Sequence, residues 1–259
     1  MTRIISVLNF KGGTAKTTTT VNLGMGLAMR GHRVLAIDLD PQGSVAGWLG
    51  ITNYEASLSE VLLGTVEWPD AVARARVRFD IIPSDRHLAD AEHILVEQQA
   101  GPSILSRRLS GIAEAGYDFV LLDCAPSINI MSESALHFSR ETFVPVSMEY
   151  LALVGAREVI IEVLRARRLM SGQASRVALV IPSFYYVRHR KSRDTLAMLH
   201  DHFPGMVSDP IRASVRLSEA PSHQLTIFEY DPDGPGSEDY ARLAERVAAN
   251  DRDAFRRGK

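Results

Sequence analysis

Short runs that are apolar almost throughout punctuate this chain: Ile4-Ile5-Ser6-Val7-Leu8, Val34-Leu35-Ala36-Ile37, Phe119-Val120-Leu121-Leu122 and Val177–Ile181. A strand with one wet face alternates apolar and polar residues. A continuous run marks a strand covered on both faces, as in a parallel sheet between two layers of helices. Phe79–Pro83 and Thr142–Val146 read as further strands. Helical patterns fall between them: Thr17–Arg30, with Val21, Leu23, Leu27 and Ala28 on one face and Gly31 as its stop, then Leu88–Glu97, Ile104–Glu114 and Ala156–Met170. Ser237–Ala249 closes the chain, with Tyr240, Leu243, Ala244 and Val247 on one face. The expected fold is α/β: three layers, a mostly parallel sheet flanked by helices. There is no internal repeat and no linker-like boundary, so residues 1–259 are expected to form a single domain.

Composition narrows the function classes. Apolar residues make up 46% of the chain and charged residues 23%, enough for a large core. The lone cysteine, Cys124, excludes an intrachain disulfide framework and any multi-cysteine zinc or iron–sulfur site within one chain, and fits a reducing cytoplasm. No apolar run approaches the ~18 residues that span a bilayer. The opening run is too short for a signal-peptide core, and Lys11 follows it in place of a cleavage site.

Between the first strand and the first helix lies Lys11-Gly12-Gly13-Thr14-Ala15-Lys16-Thr17-Thr18. Phosphate binding needs converging backbone amides, small residues for close approach and a helix N-terminus behind them. A lysine adds a charge at the β- and γ-phosphates, and a Ser/Thr hydroxyl reaches Mg²⁺; Lys16 and Thr17 have those types at those places. The usual G-x-x-x-x-G-K-[ST] pattern is not met, because Phe10 and Ala15 stand where its glycines belong. A second lysine, Lys11, opens the loop instead. Two carboxylate stations follow at the ends of predicted strands: Asp38-Leu39-Asp40-Pro41-Gln42-Gly43 and Leu121-Leu122-Asp123-Cys124-Ala125-Pro126. In open α/β sheets the carboxyl edge of the strands is where ligands bind.

Together these residues resemble the ParA/MinD superfamily: the deviant Walker A KGGxxK[ST], the DxDPQG switch and the hhhDxxP Walker B. Val215-Arg216-Leu217-Ser218-Glu219-Ala220-Pro221-Ser222-His223 and the Tyr230-Asp231-Pro232…Gly236-Ser237-Glu238-Asp239-Tyr240 close resemble the chromosomal ParA (Soj) branch. Two departures stand out. Ala15 replaces the commoner glycine, at a cost of ~1 kcal/mol if the position needs φ > 0, which is expected to weaken or slow nucleotide handling. Gln224 also replaces a glycine, and Asp233-Gly234-Pro235 varies the closing loop.

The resemblance implies a P-loop NTPase fold of the SIMIBI/ParA-like type. It also implies a slow, partner-stimulated ATPase using ATP and Mg²⁺. Gly12, Gly13, Thr14, Ala15, Lys16, Thr17 and Thr18 would hold the phosphates, with Thr17 and, through water, Asp38 or Asp123 around the metal. Lys11 would reach the partner's phosphates across an ATP-dependent homodimer, and Asp40 would position or deprotonate the attacking water. Catalytic roles thus fall to Lys11, Lys16 and Asp40. Adenine contacts are expected at Pro182–Phe184 and near Pro210.

The net charge of −2 conceals an asymmetry. Residues 1–150 hold 12 basic and 17 acidic side chains; residues 151–216 hold 11 basic and 5 acidic. Arg188, Arg190, Lys191 and Arg193 crowd one stretch, and Arg212 and Arg216 lie further on, a set expected to bind DNA non-specifically through phosphates. Arg165, Arg167 and Arg168 equally suit the complement of a helix C-terminus. A dimer would present two patches and bind more tightly than a monomer. Such a chain would be cytoplasmic and nucleoid-associated, segregating a chromosome or plasmid with a ParB-like partner, or carrying a protein assembly through a cargo adaptor. MinD-like membrane cycling is the rival, yet the tail Ala249–Lys259 has Phe255 as its only large apolar residue, too little for a membrane anchor. A ligase resembling dethiobiotin synthetase would keep the phosphate loop without the basic surface. His200 and His202, two apart on a helix, point to different faces and are not expected to pair on a metal. Tyr185 and Tyr186 are of a type that stacks on bases, but they are expected in the core.

Overall fold

The structure, a computed structural model, describes residues 2–148, 152–169 and 175–256; the side chains of 152–155, 166–169 and 250–256 fall outside the description. The expectations placed on Arg167, Arg168, Met170 and Phe255 therefore lie outside the described residues. Seven strands form one sheet: β1 (Arg3–Val7), β2 (Val34–Leu39), β3 (Ala73–Arg76), β4 (Phe79–Ile82), β5 (Phe119–Cys124), β6 (Glu141–Ser147) and β7 (Arg176–Ser183). Their order is β3-β4-β2-β5-β1-β6-β7. All neighbours pair parallel except β3 with β4, a short antiparallel edge. The sequence gives no continuous apolar run for β3, because Ala73-Arg74-Ala75-Arg76 has no side that must be buried deeply.

The α-helices among the described residues are α1 (Lys16–Met29), α2 (Ser44–Leu49), α3 (Leu58–Leu63), α4 (His87–Glu97), α5 (Ile104–Arg108), α6 (Ile130–Phe138), α7 (Ala152–Leu169), α8 (Arg190–His202), α9 (Val215–Glu219), α10 (Ile227–Tyr230) and α11 (Pro235–Arg256). The helix expected over Ile104–Glu114 is broken. It stops at Arg108, Gly111 takes φ 80°, and a single 3₁₀ turn covers Ile112–Glu114. Leu109 caps α5, and the left-handed Gly111 two residues on turns the chain into the 3₁₀ piece where apolar spacing alone would have continued the helix.

Two cores sandwich the sheet. On one side Leu23 and Leu27 of α1 and Tyr240, Leu243 and Val247 of α11 pack with Ile5, Val34, Ala36, Phe119 and Leu121. On the other, Leu58, Leu62, Leu88, Leu95, Met131 and Val159 pack with Leu35, Ile37, Val120, Leu122 and Val144. Alternate residues of β2 and β5 enter opposite cores, which is why their runs contain no polar gap. Each such side chain contributes about 1.5–3 kcal/mol on burial. Gly24 lets α1 lie against β4, since a Cβ there would sit 2.6 Å from the Phe79 ring.

Candidate active site

The strand order sets β2, β5 and β1 side by side, and the three motifs leave their adjacent carboxyl ends. Asp123 is the register partner of both Val7 and Asp38. Residues separated by more than 80 positions in sequence thus face one another at one edge.

The phosphate loop is shaped by its own side chains. Asn9 at the end of β1 donates from Nδ2 to the Pro145 carbonyl (2.8 Å), and its Oδ1 accepts from the Lys11 amide (3.0 Å). Gly13 (φ 70°) and Ala15 (φ 72°, ψ 33°) both take the left-handed conformation and wind the chain into α1. The Lys11 carbonyl accepts from Thr14 Oγ1 (3.3 Å) and from Lys16 Nζ (3.2 Å), so the two lysines meet at the mouth of the loop. Nothing lies within 4 Å of a Cβ built on Gly12 or Gly13. Lys16 is buried, and burial lowers its pKa against the opposing pull of Asp123. A lysine held out of water beside open space above two glycines is suited to a polyanion.

The carboxylates behind the loop are buried too. Asp123 accepts from Thr17 Oγ1 (2.7 Å) and Thr20 Oγ1 (2.9 Å). Burial raises its pKa to about 6, although both hydroxyls and Lys16 work the other way. Asp38 accepts from the Asp40 amide (3.0 Å) and the Val45 amide (3.0 Å). Burial, and then the charge of Asp123, push its pKa well above the usual carboxylate range. Two neighbouring buried carboxyls that resist joint ionisation leave the site short of positive charge. The residues present therefore fit a divalent cation: hard oxygen donors from Thr17, Asp38 and Asp123, at the phosphate end of the loop. Asp40 is half-buried and accepts from the Gln42 amide (3.0 Å) in the turn above. Thr18 is half-buried, its carbonyl taken by Asn22 Nδ2 (2.9 Å).

Sequence reasoning missed Asn9 and Thr20. Asn9 stands two residues before Lys11, and an amide side chain just past a strand end before a bend is a recognisable hydrogen-bonding signal. Thr20 lies one turn past Lys16, but a helical threonine carries no such signal.

The basic residues separate into two kinds. Arg188, Arg190, Lys191 and Arg193 are exposed, with Arg190 3.5 Å from Asp194 and Arg193 donating to the Val187 carbonyl (3.2 Å). Arg216 is exposed, 3.2 Å from Glu219 and over the Tyr230 ring. Arg212 differs from the others. Its guanidinium donates to both oxygens of Asp239 (2.8–3.0 Å), to Glu238 and to the Pro235 carbonyl, and its amide also binds Asp239. Those bonds raise its pKa further. It pins the start of α11, so its guanidinium is already engaged where the other arginines of the set stand exposed. Tyr186 is corrected: it is 50% exposed, stacked on His189, while Tyr185 packs at the core margin. Phe184 and Val187 are also exposed, so the basic stretch is interleaved with apolar side chains.

The segments named for adenine lie together. The Ile211 amide donates to the Pro182 carbonyl (2.8 Å) and the Tyr185 amide to the Ile211 carbonyl (3.0 Å), with Phe184 exposed at φ 58°. His200 and His202 both lie on α8, where His202 Nδ1 bonds the Met198 carbonyl (2.8 Å). No group of three or more metal-ligating side chains occurs among the described residues. Nor is any helix there long and apolar enough to cross a membrane.

A parallel sheet whose first strand runs through a two-lysine phosphate loop into a helix, with buried aspartates on the neighbouring strand ends, defines a P-loop NTPase. Comparison with known proteins narrows the class. The model of the family described as "AAA domain" matches residues 2–172. The chain is 35% identical over 256 residues to the chromosome partitioning protein ParA of Caulobacter vibrioides, covering 97% of this chain and 96% of that one. It is 35% identical over 254 residues to the sporulation initiation inhibitor protein Soj of Bacillus subtilis, covering 96% and 100%. Among solved structures, a cobyrinic acid a,c-diamide synthase from Mycobacterium smegmatis with a bound ATP analog and magnesium superposes with TM-score 0.82 at 28% identity, over 96% and 95% of the two chains. The chain belongs to the ParA/Soj-type partitioning ATPases.

Proposed function

We propose that this chain binds Mg²⁺·ATP at the shared edge of β2, β5 and β1 and hydrolyses it between two copies in a face-to-face dimer. One observation carries the proposal. Lys16, Thr17, Asp38 and Asp123 converge at the end of an open glycine loop, as an electrostatic set that a cation and a polyphosphate would complete. The relatives support the same ligands, since the mycobacterial structure holds an ATP analog and magnesium.

Thr17, Asp38 and Asp123 would hold the metal. Bound there, Mg²⁺ supplies charge neutralisation for phosphoryl transfer. Lys16 and the amides of Gly12, Gly13, Thr14, Ala15, Thr17 and Thr18 hold the phosphates. Lys11 serves the opposite subunit, and Asp40, exposed enough to meet water and fixed by the Gln42 amide, orients the nucleophile. Residues 1–259 act as a single domain. The exposed Arg188, Arg190, Lys191, Arg193 and Arg216 bind DNA phosphates without sequence preference, and the dimer doubles that surface. The working form is cytoplasmic and nucleoid-associated. It segregates a chromosome or plasmid together with a ParB-like protein that stimulates hydrolysis.

The test is ATP turnover and sedimentation of the full chain with and without DNA. Lys11→Ala is expected to stay monomeric with impaired turnover, and Asp40→Ala to form a dimer locked on ATP. Normal hydrolysis by Asp40→Ala would remove the role given to that carboxylate. DNA binding that is equal with and without ATP, or insensitive to salt, would remove the proposed cycle.

A further inference from the structure

The stretch from Val215 to Tyr230, which carries Arg216, is fastened to α1 and α2, two of the three helices that follow the strands of the site. On the α1 side, Asn22 Oδ1 accepts from the Ile227 amide (2.8 Å) while its Nδ2 donates to the Thr18 carbonyl (2.9 Å). On the α2 side, Trp48 Nε1 donates to the Leu225 carbonyl (2.8 Å). Arg76 on β3 bridges the same two pieces, donating to the carbonyls of Leu49 (3.2 Å) and Gln224 (2.9 Å) and pairing with Glu229 (2.6 Å). Gln224, at φ 59°, lays its side chain against Gly50, where a Cβ would come within 2.8 Å of its Oε1.

The outer end of the stretch is closed on itself. Glu219 accepts from Arg216 (3.2 Å) and from the Tyr230 hydroxyl (3.0 Å). Arg216 lies over the Tyr230 ring, and His223 stacks on the same ring.

Helix α2 has six residues, too few to hold its own position, so its ends decide where it sits. Its first turn hangs from Asp38, through the Val45 amide. Its last turn hangs from Leu225, through a tryptophan that is only 8% exposed. A displacement of Asp38 therefore carries Trp48 and Leu225 with it as long as the Val45 and indole hydrogen bonds both hold. We infer that Trp48 is a positioning residue that couples the Asp38 carboxylate to the Arg216-bearing stretch, and that Glu219 competes with DNA phosphates for Arg216. The inference rests on the proposed function for its ligands. The bond path itself is independent of that reading.

The experiment uses the full chain. Trp48→Phe keeps the ring and deletes the N–H donor. Its ATP affinity is expected to stay within two-fold, while the ratio of DNA affinities with and without Mg²⁺·ATP falls about five-fold, the worth of one buried hydrogen bond expressed as coupling. A folded Trp48→Phe chain with an unchanged ratio overturns the inference. If that variant does not fold, amide exchange in the wild type decides. Altered protection at Leu225–Tyr230 on adding Mg²⁺·ATP supports the coupling, and unaltered protection refutes it. Glu219→Gln is expected to raise DNA affinity several-fold without nucleotide, and no rise overturns the competition. A wild-type chain that fails to bind DNA, yet shows the exchange change, would refute the DNA reading and leave the coupling standing.

Discussion

Ala15 offers the sharpest quantitative test. It holds φ 72° and ψ 33°, with its carbonyl accepting from the Thr19 amide (2.9 Å), so the conformation is imposed by the turn of the loop into α1. An L-residue with a Cβ pays ~1–2 kcal/mol there relative to the right-handed region, and glycine does not. Glycine in turn gives up about 0.4–1 kcal/mol through the greater freedom of its unfolded chain. Ala15→Gly is thus expected to stabilise the protein by ~0.5 kcal/mol, where an ordinary alanine-to-glycine change would destabilise it. Ala15→Val should cost ~1 kcal/mol or more, because a branched Cβ is worse still in this region. Urea unfolding with a constant m-value measures both. The glycine variant is also expected to turn over ATP faster. If Ala15→Gly destabilises by more than ~0.5 kcal/mol while Ala15→Val is tolerated, the loop does not hold the strain assigned to it.

Three further outcomes follow from the same geometry. Arg212→Ala should destabilise by ~2–3 kcal/mol in thermal or urea unfolding, because it leaves the Asp239 carboxylate buried without its bidentate partner. Lys191→Ala, at an exposed position, should be neutral in the same assay. Simultaneous charge reversal of Arg188, Arg190 and Arg216 should reduce DNA affinity at least ten-fold and flatten its salt dependence, with ATP affinity within two-fold, as read by fluorescence titration. Glu92 should give a pH signature. Burial raises its pKa from 4.5, helped by Asp40, with one oxygen bonded to Asn129 (2.9 Å) and the other buried without a hydrogen bond. A folded-state pKa above the unfolded one means the relative stabilisation is complete below pH 4.5 and is lost as pH rises through the raised value. Glu92→Gln, which carries no charge, should therefore match the wild type at pH 4 and exceed it in melting temperature at pH 7.

What the sequence disclosed was set by how local the signal is. The runs around Ile5, Ala36, Val120 and Leu179 announced buried parallel strands, because two-sided burial leaves no room for polar alternation. β3 was hidden because Ala73–Arg76 sits at an edge and asks little of its side chains. α2, α9 and α10 are too short to display a helical period, and their ends are set by tertiary contacts such as Trp48 to Leu225. At the site, Lys11, Lys16, Thr17, Asp38 and Asp123 were legible because loop and strand-end residues carry chemistry in fixed spacing. The partnership of Arg212 with Asp239 was not, since the two lie 27 positions apart and nothing in that stretch separates a committed arginine from an exposed one. The exposed Tyr186 was misplaced for a related reason: an aromatic residue beside a basic stretch can pack inward or outward, and only the direction of the turn at Phe184 decides.

Several departures from local rules fall around the edge of the sheet that carries the site. Of the five non-glycine residues in left-handed positions among the described residues, Ala15 and Gln224 form a pair at the site, one within the phosphate loop and the other against the helix that follows Asp40, while Arg78, Gln99 and Phe184 lie outside it. Two carboxylates, Asp38 and Asp123, are buried side by side at a cost that their amide and hydroxyl donors only partly offset. A fold selected for stability alone would place glycine at the first pair and an amide or apolar group at the second, because unpaired buried charge is among the costliest features a core can hold. The charged pairs and caps away from the site follow local rules: Glu141 meets Arg3, Asp239 meets Arg212, and Asn129 and Ser57 cap their helices. Buried charge gathered at one edge is what a site completed by a charged ligand requires. A bound ligand would restore the missing counter-charge, and the coupling inferred through Trp48 would pass that change to α2 and the stretch tied to it.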